Sequence, residues 1–156
     1  MEIGYANAMT LVETNAGGSI GSKGSLKAVV SGSFHRHLQA VGQAIHDLRL
    51  AGVQVLSPGD PRAVAQIDDF VFIASDPVHS IKEVEDRHLD CIRVADFLWV
   101  VCPDGHTGAS TCLEIGTAVG AGVPIFSQTA AADTTITHYV SVIASVSDAI
   151  SALQKR

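Results

Sequence analysis

A single carboxylate, Glu114, stands in a stretch of small residues, "PDGHTGASTCLEIGTAVGAGVP", that follows the apolar run "DFLWVVC". Small residues let backbone amides approach a ligand closely, and a helix that begins in such a loop offers free N–H groups and the positive end of its dipole. Thr107, Gly108 and Ser110 bring hydroxyls and amides into this loop, so we predict that they contact a sugar or a phosphate. Glu114 is either a reactive carboxylate or part of a helix cap, because it follows Thr111 at the spacing of a capping box.

The elements around this loop predict an α/β fold. Short apolar runs such as "LKAVVSG", "VQVLS", "DFLWVVC" and "VPIFS" alternate with stretches of helical period such as "HRHLQAVGQAIHDLRLAG" and "VHSIKEVEDRHLDCIRVA". "DDFVFIASDP" is a further short strand or an extended segment. Continuous apolar strands are typical of parallel sheets covered on both faces. We therefore predict an open, doubly wound parallel sheet of about five strands with helices on both faces, since a closed eight-stranded barrel needs a longer chain.

Ligands of such sheets bind at the carboxyl ends of the strands, where three loops qualify: "SGSFHRH", "SPGDPR" and "PDGHTGAST". In the second loop, Asp60 and Arg62 either shape a ligand pocket or form a turn. His35 and His37 are separated by one residue, but no third and fourth ligand has matching spacing, so no metal is predicted. No cofactor is predicted either.

Composition limits the class of protein. The 156 residues fit one domain, over residues 26–156, after a flexible or extended segment over residues 1–25 that is rich in glycine and serine. A formal net charge of -6 argues against a nucleic acid polymer as partner, and no apolar run is long enough for a bilayer. Three scattered cysteines without a CxxC pair predict a reduced, cytoplasmic protein.

Two stretches of the sequence carry a family resemblance. "RVADFLWVVCPDGHTGASTCLEIGTAVGAGVPIFS" and "VVSGSF" resemble the nucleoside 2-deoxyribosyltransferase superfamily, which includes nucleotide N-glycosidases. Together with the helix "EDRHLDCIRVAD", the resemblance spans most of residues 26–127. In the longer stretch, the matching residues are Ala95, Asp96, Gly108, Glu114, Ile115, Gly116, Ala118, Gly122 and Pro124.

The resemblance implies roles for individual residues. Glu114 matches the glutamate that attacks the anomeric carbon of the sugar, and a carboxylate suits that step. Gly32 and Ser33 match an element that lies against the sugar and phosphate, and Arg36 is placed to meet a phosphate through its planar guanidinium group or to lie on a solvated basic surface.

His88 departs from the family pattern, because characterised members carry a proton-handling aspartate at this position. A histidine also transfers protons near neutral pH, so catalysis stays open to it. The alternative is a buried histidine whose ring is satisfied by a carbonyl. The family's nucleobase-binding acid is not matched either, which favours hydrolysis over transfer.

Three functions are compatible with these residues. The first is cleavage of, or transfer from, the N-glycosidic bond of a nucleoside or nucleoside 5'-monophosphate, with Glu114 as nucleophile and His88 as proton-handling partner. The second is a nucleotide-binding module that senses its ligand without turning it over. The third is a phosphoribohydrolase of the lysine-decarboxylase-like type, since "GASTCLE" is similar to that group's motif. The resemblance also implies a homodimer or higher homo-oligomer, with a small nucleoside or nucleotide as ligand.

Overall fold

The computed structural model describes residues 24–76 and 80–155. The segment predicted over residues 1–25 therefore lies, up to residue 23, outside the described residues. In chain order the elements are β1 (Lys27–Gly32), α1 (Phe34–Leu50), β2 (Gln54–Ser57), β3 (Ala63–Ile67), β4 (Phe70–Ile73), α2 (Ile81–Arg93), β5 (Phe97–Val101), α3 (Ala109–Ala121), β6 (Ile125–Ser127), α4 (Thr134–Thr137), β7 (Ser141–Val142) and α5 (Val146–Gln154).

Five parallel strands form the central sheet in the order β2-β1-β5-β6-β7. The predicted fold class, an open parallel sheet of about five strands, is confirmed. The strand order reverses beside β1, which lies between β2 and β5, and this is the position at which doubly wound sheets bind their ligands.

Helices cover both faces of the sheet because its central strands are apolar on both sides. Alternate residues of a strand point to opposite faces, and in β5 the side chains of Phe97, Trp99 and Val101 join one core cluster while Leu98 and Val100 join the other. The first cluster packs against α1 and α5, and the second packs against α2 and α3. Phe97 and Trp99 are buried in the core.

The antiparallel hairpin of β3 and β4 stands apart from the central sheet. The run "DDFVFIASDP" contains β4, but its partner β3 was not predicted from the sequence. Val64 and Ile67 of β3 are exposed, so this strand lacks the apolar run that marks the strands of the main sheet. Residues of β4 turn instead towards the cleft described below.

Glycine is required at two positions, one by the close approach of two strands and one by the backbone conformation at a helix end. A Cβ on Gly32 would lie 2.8 Å from the carbonyl oxygen of Val101 on the neighbouring strand, so only glycine lets β1 and β5 approach here. Gly122 ends α3 with a φ of 69°, the left-handed conformation that glycine adopts at little cost. In the part of the chain that the structure describes, no helix is long and apolar enough to span a membrane.

Candidate active site

A cleft opens at the carboxyl ends of β1 and β2, between α2, α3 and the β3–β4 hairpin. It encloses about 810 Å³ of space, including the part open to solvent. The helices α1 and α3 both begin at the cleft, with Ser33 and Gly108 as their N-caps. Neither residue caps its helix through a side chain, so first-turn N–H groups are left for a ligand.

Glu114 lies at the bottom of the cleft, and only 5% of the residue is exposed. The hydroxyl of Ser31, on β1, donates a hydrogen bond to Oε2 of Glu114. The capping interpretation of Glu114 is wrong, because α3 begins at Ala109, with Gly108 rather than Thr111 as its N-cap. Glu114 consequently sits in the second turn, with no acidic residue in the first, and its carboxyl turns to β1 and α2.

His88 on α2 faces Glu114, with 3.7 Å between its Nε2 and Oε1 of the carboxyl. Its other ring nitrogen, Nδ1, lies 2.6 Å from the hydroxyl oxygen of Ser57, at the end of β2, in a buried hydrogen bond. His88 is buried, as the alternative interpretation expects, but the partner of its ring is a hydroxyl and not a carbonyl. Nε2 is buried and has no hydrogen-bond partner among the described residues, so it is the ring atom left to act on Glu114 or on a ligand.

Burial sets the charge state of this pair. Desolvation raises the pKa of Glu114 to about 8, against the lowering effect of the Ser31 hydrogen bond, and the nearby charge of Glu85 raises it further. Desolvation lowers the pKa of His88 to about 4, and the charge of Arg87 adds to this shift. At neutral pH the carboxyl is therefore protonated and the imidazole is neutral. The proton that the two groups can exchange resides on Glu114, and the pair has no net charge.

The position of this pair matches the rule for doubly wound sheets. Ser57 ends β2 and Ser31 is the last residue but one of β1, while Glu114 is carried by the helix that follows β5. These three strands lie side by side, and the order of the sheet reverses among them.

A solved structure with the same architecture is the 2-deoxyribosyltransferase of Bacillus psychrosaccharolyticus, a biocatalyst for the synthesis of antiviral and antitumoral nucleosides. The two chains superpose with a TM-score of 0.56 over 81% of this chain and 95% of that one, at 20% sequence identity. This chain has the 2-deoxyribosyltransferase fold. No protein-family model and no curated protein matches the sequence.

The 2-deoxyribosyltransferase fold brings most of the predicted site residues to one cleft. Gly32 and Ser33 line it from the end of β1, and Gly108 and Ser110 line it from the start of α3. The carboxyl of Glu114 and the ring of His88 complete its floor.

Three other predicted residues lie elsewhere in this 2-deoxyribosyltransferase fold and do not line the cleft. Arg36 pairs with Asp104 at 3.2 Å, and the two side chains are about half exposed. Asp60 forms a turn in which the side chain of Arg62 donates to its carboxylate, which lowers the pKa of Asp60. The hydroxyl of Thr107 lies 3.7 Å from Sγ of Cys112. As placed, these residues contact other side chains of the protein, and their predicted ligand contacts stay predictions.

The sequence did not single out Ser31, which holds Glu114 from beneath the cleft, nor Ser57 and Glu85, which line it, although the two serines begin the loops "SGSFHRH" and "SPGDPR". The two serines each close an apolar strand, in "KAVVSG" and "QVLS", at the end where parallel sheets bind ligands. A polar residue at that position of a buried strand is a signal that was present in the sequence. Within residues 24–76 and 80–155, no three histidine, cysteine, aspartate or glutamate side chains are placed to hold a metal ion.

Proposed function

We propose that the protein is an enzyme that cleaves the N-glycosidic bond of a nucleoside or nucleoside monophosphate, with Glu114 as the nucleophile. The observation that carries the proposal is the buried carboxyl of Glu114 at the floor of an open cleft, in contact with Ser31 and facing His88. The shared fold with a 2-deoxyribosyltransferase supports this reaction class.

The pair of Glu114 and His88 supplies both the nucleophile and the acid. When His88 carries its ring proton on Nδ1, that nitrogen donates to the hydroxyl of Ser57, and Nε2 is free to accept the proton of Glu114. The 3.7 Å separation must shorten by less than about 1 Å to reach hydrogen-bond distance, and such contacts commonly tighten only when substrate binds. Proton transfer then leaves a carboxylate and an imidazolium.

The two groups act on opposite ends of the bond that breaks. A carboxylate oxygen of Glu114 forms a bond to the anomeric carbon as the bond from that carbon to the base nitrogen breaks, and the electron pair stays on the base. His88 gives its proton to the departing base. Water then attacks the glycosyl ester and gives a proton to His88, which releases the sugar and restores the shared proton. A second base in place of water gives transfer.

Ser31 and Ser57 support the two reacting groups but form no covalent bond with the substrate. The hydroxyl of Ser31 donates to Oε2 of Glu114, and this contact stabilises the carboxylate as it forms. The hydroxyl of Ser57 fixes the orientation of the His88 ring.

Free-base release from a panel of ribo- and deoxyribonucleosides and their monophosphates tests the proposal. Glu114→Gln keeps the volume and polarity of the side chain but removes the nucleophile, so we expect release to fall by on the order of 10³-fold or more. Asp90→Asn changes an exposed carboxylate on α2 that pairs with Arg93 and should release base at the wild-type rate. Undiminished release by a folded Glu114→Gln protein would exclude Glu114 as the nucleophile.

A second candidate function is a nucleoside-binding or nucleotide-binding module. Burial of the Glu114 carboxyl favours this function, because it raises the pKa of Glu114 to about 8 and a protonated carboxyl group is not a nucleophile. Binding of nucleosides to the wild type by calorimetry, without release of base at any pH between 5 and 9, would favour this function over the enzyme.

A further inference from the structure

Glu85 is a second carboxyl group at the cleft, and the reaction just described does not use it. It lies on α2, three residues before His88, and lines the same cleft. Residues three apart on a helix share a face, with about 5–6 Å between their Cβ atoms. Glu85 and His88 therefore project from neighbouring positions on one face of α2, and both line the cleft.

The carboxyl of Glu85 has an oxygen without a partner. Oε1 is buried and makes no hydrogen bond with any of the described residues. Burial raises the pKa of Glu85, and the charge of Asp86 adds to this shift. A buried polar atom without a hydrogen bond costs free energy, so an oxygen of this kind at a ligand cleft is suited to a partner that the ligand brings.

The other buried carboxyls at the cleft are already engaged. Asp76 accepts hydrogen bonds from the backbone N–H of Ile73 and from the guanidinium of Arg87. Glu114 accepts the hydrogen bond of Ser31. Among the described residues, the half-buried Glu85 thus offers the cleft a buried carboxyl oxygen without a hydrogen bond, whereas the oxygen of Glu114 that Ser31 leaves free, Oε1, faces His88.

We propose that Glu85 recognises the nucleobase and selects bases that carry an exocyclic amino group. The inference rests on the proposed function, because it assumes a nucleoside whose base leaves beside His88. Oε1 is an acceptor, so it complements the N–H of an amino group and not the carbonyl of an oxo base. Adenine and cytosine are therefore favoured over hypoxanthine and uracil, which present an oxygen at the same position. A site built to pair with an N–H group rejects the analogue that lacks it, because its own buried atom is left unpaired.

The test compares matched substrates with a matched set of variants. kcat/KM is measured for deoxyadenosine against deoxyinosine and for deoxycytidine against deoxyuridine. The proteins are the wild type, Glu85→Met, which removes the acceptor at similar length, and Glu85→Gln, which keeps one. Glu83→Met is the control, since Glu83 is exposed on the same helix.

We expect the wild type to prefer each amino substrate, and Glu85→Met to lose about ten- to hundredfold of that preference. Glu85→Gln should retain most of it, and Glu83→Met all of it. Rates with the oxo substrates should change little, which separates recognition from a general structural effect. An amino-to-oxo ratio that is unchanged in Glu85→Met, while base release continues, would overturn the role of Glu85 and leave the proposed function intact.

Binding of free bases keeps the two proposals distinguishable. If the wild type releases no base from any nucleoside, the proposed function fails, and calorimetric binding of adenine against hypoxanthine still decides the role of Glu85. Preferential binding of adenine that disappears in Glu85→Met would support it. Equal binding of the two bases, or binding of neither, would overturn it. Thermal unfolding of each variant shows that the protein remains folded.

Discussion

Nε2 of His88 lies 3.7 Å from Oε1 of Glu114, and both side chains are buried at the floor of one cleft. Their residues come from different helices, α2 and α3, which pack against each other on one face of the sheet. Burial shifts the two pKa values in opposite directions, past each other, so that the single proton of the pair resides on the carboxyl at neutral pH. Oppositely shifted neighbouring groups are a common arrangement for acid and base roles in one site.

The first prediction concerns the pH dependence of base release. The working state of the pair holds one proton, so kcat/KM should stay level between about pH 4 and about pH 8 and fall on either side. Both limbs belong to the pair rather than to one residue. Initial rates in buffers of constant ionic strength measure this profile. A rate that instead rises through pH 8 would mean that Glu114 acts as a carboxylate without a proton on His88.

The second prediction concerns folding stability. The pKa of Glu114 is raised from 4.5 to about 8, so the folded protein binds a proton there that the unfolded chain releases, and stability falls as pH rises through this range. The pKa of His88 is lowered from 6.5 to about 4, so stability from this group is lost as pH falls through that range. The two effects oppose each other below pH 6.5, and between about pH 6.5 and 8 only the effect of Glu114 acts.

We therefore expect the free energy of unfolding to fall by about 1–2 kcal/mol between pH 6.5 and 8, following 1.36 kcal/mol per pKa unit. Denaturant unfolding at a series of pH values measures it. Glu114→Gln cannot ionise, so its curve should be flat over this interval. The same decline in Glu114→Gln would assign the effect to another group.

The strands β1, β5 and β6 could be predicted because they are buried on both faces and so read as continuous apolar runs. The two-residue edge strand β7 is exposed and carries no such signal. The sequence also predicts a helix that begins in the loop of small residues before Glu114, and α3 begins there, at Ala109. The β3–β4 hairpin could not be predicted, since β3 lies outside the main sheet and exposes Val64 and Ile67.

The candidate site also has a part that the sequence predicts and a part that it does not. Glu114 stands out in sequence because it is alone among small residues. The partners that give it chemistry depend on tertiary contacts: Ser31 is 83 positions away from Glu114, and Ser57 is 31 positions from His88. The same limit applies to Arg36. Its partner Asp104 lies 68 positions along the chain, and no local pattern in the sequence connects the two residues.

The third prediction concerns Ser57 as a positioning residue. Ser57→Ala removes the hydroxyl that holds Nδ1 of His88, so the ring can adopt orientations in which Nε2 no longer faces Glu114. We expect kcat to fall by about tenfold, part of the 10²–10⁴-fold that a positioned acid or base contributes, with little change in KM. Steady-state kinetics measures this split.

Ser127→Ala is the matched control for Ser57→Ala. Ser127 is also buried at the carboxyl end of a strand, but it bonds to Cys102 and Thr129 away from the cleft. Removal of the Ser127 hydroxyl should lower the free energy of unfolding and leave kcat/KM unchanged. Equal kinetic effects of the two substitutions would show that Ser57 has no special role in orienting His88.

The last prediction concerns the close approach of β1 and β5. Gly32→Ala places a Cβ about 2.8 Å from the carbonyl oxygen of Val101 and 3.1 Å from its Cβ. Both contacts are with the adjacent, buried strand, so the strands must separate, and we expect a loss of about 1–3 kcal/mol in the free energy of unfolding. Gly42→Ala is the counterpart within α1, where the new Cβ has no atom within 4 Å apart from its chain neighbours and the nearby backbone of the helix itself. It should raise stability by about 0.5–1 kcal/mol, because alanine is the better helix former. Chemical denaturation of both variants gives the two values, and a Gly32→Ala protein as stable as the wild type would show that β1 shifts without cost. Because Gly32 also lines the cleft, a shift of β1 would move Ser31 away from Glu114 and reduce base release together with stability.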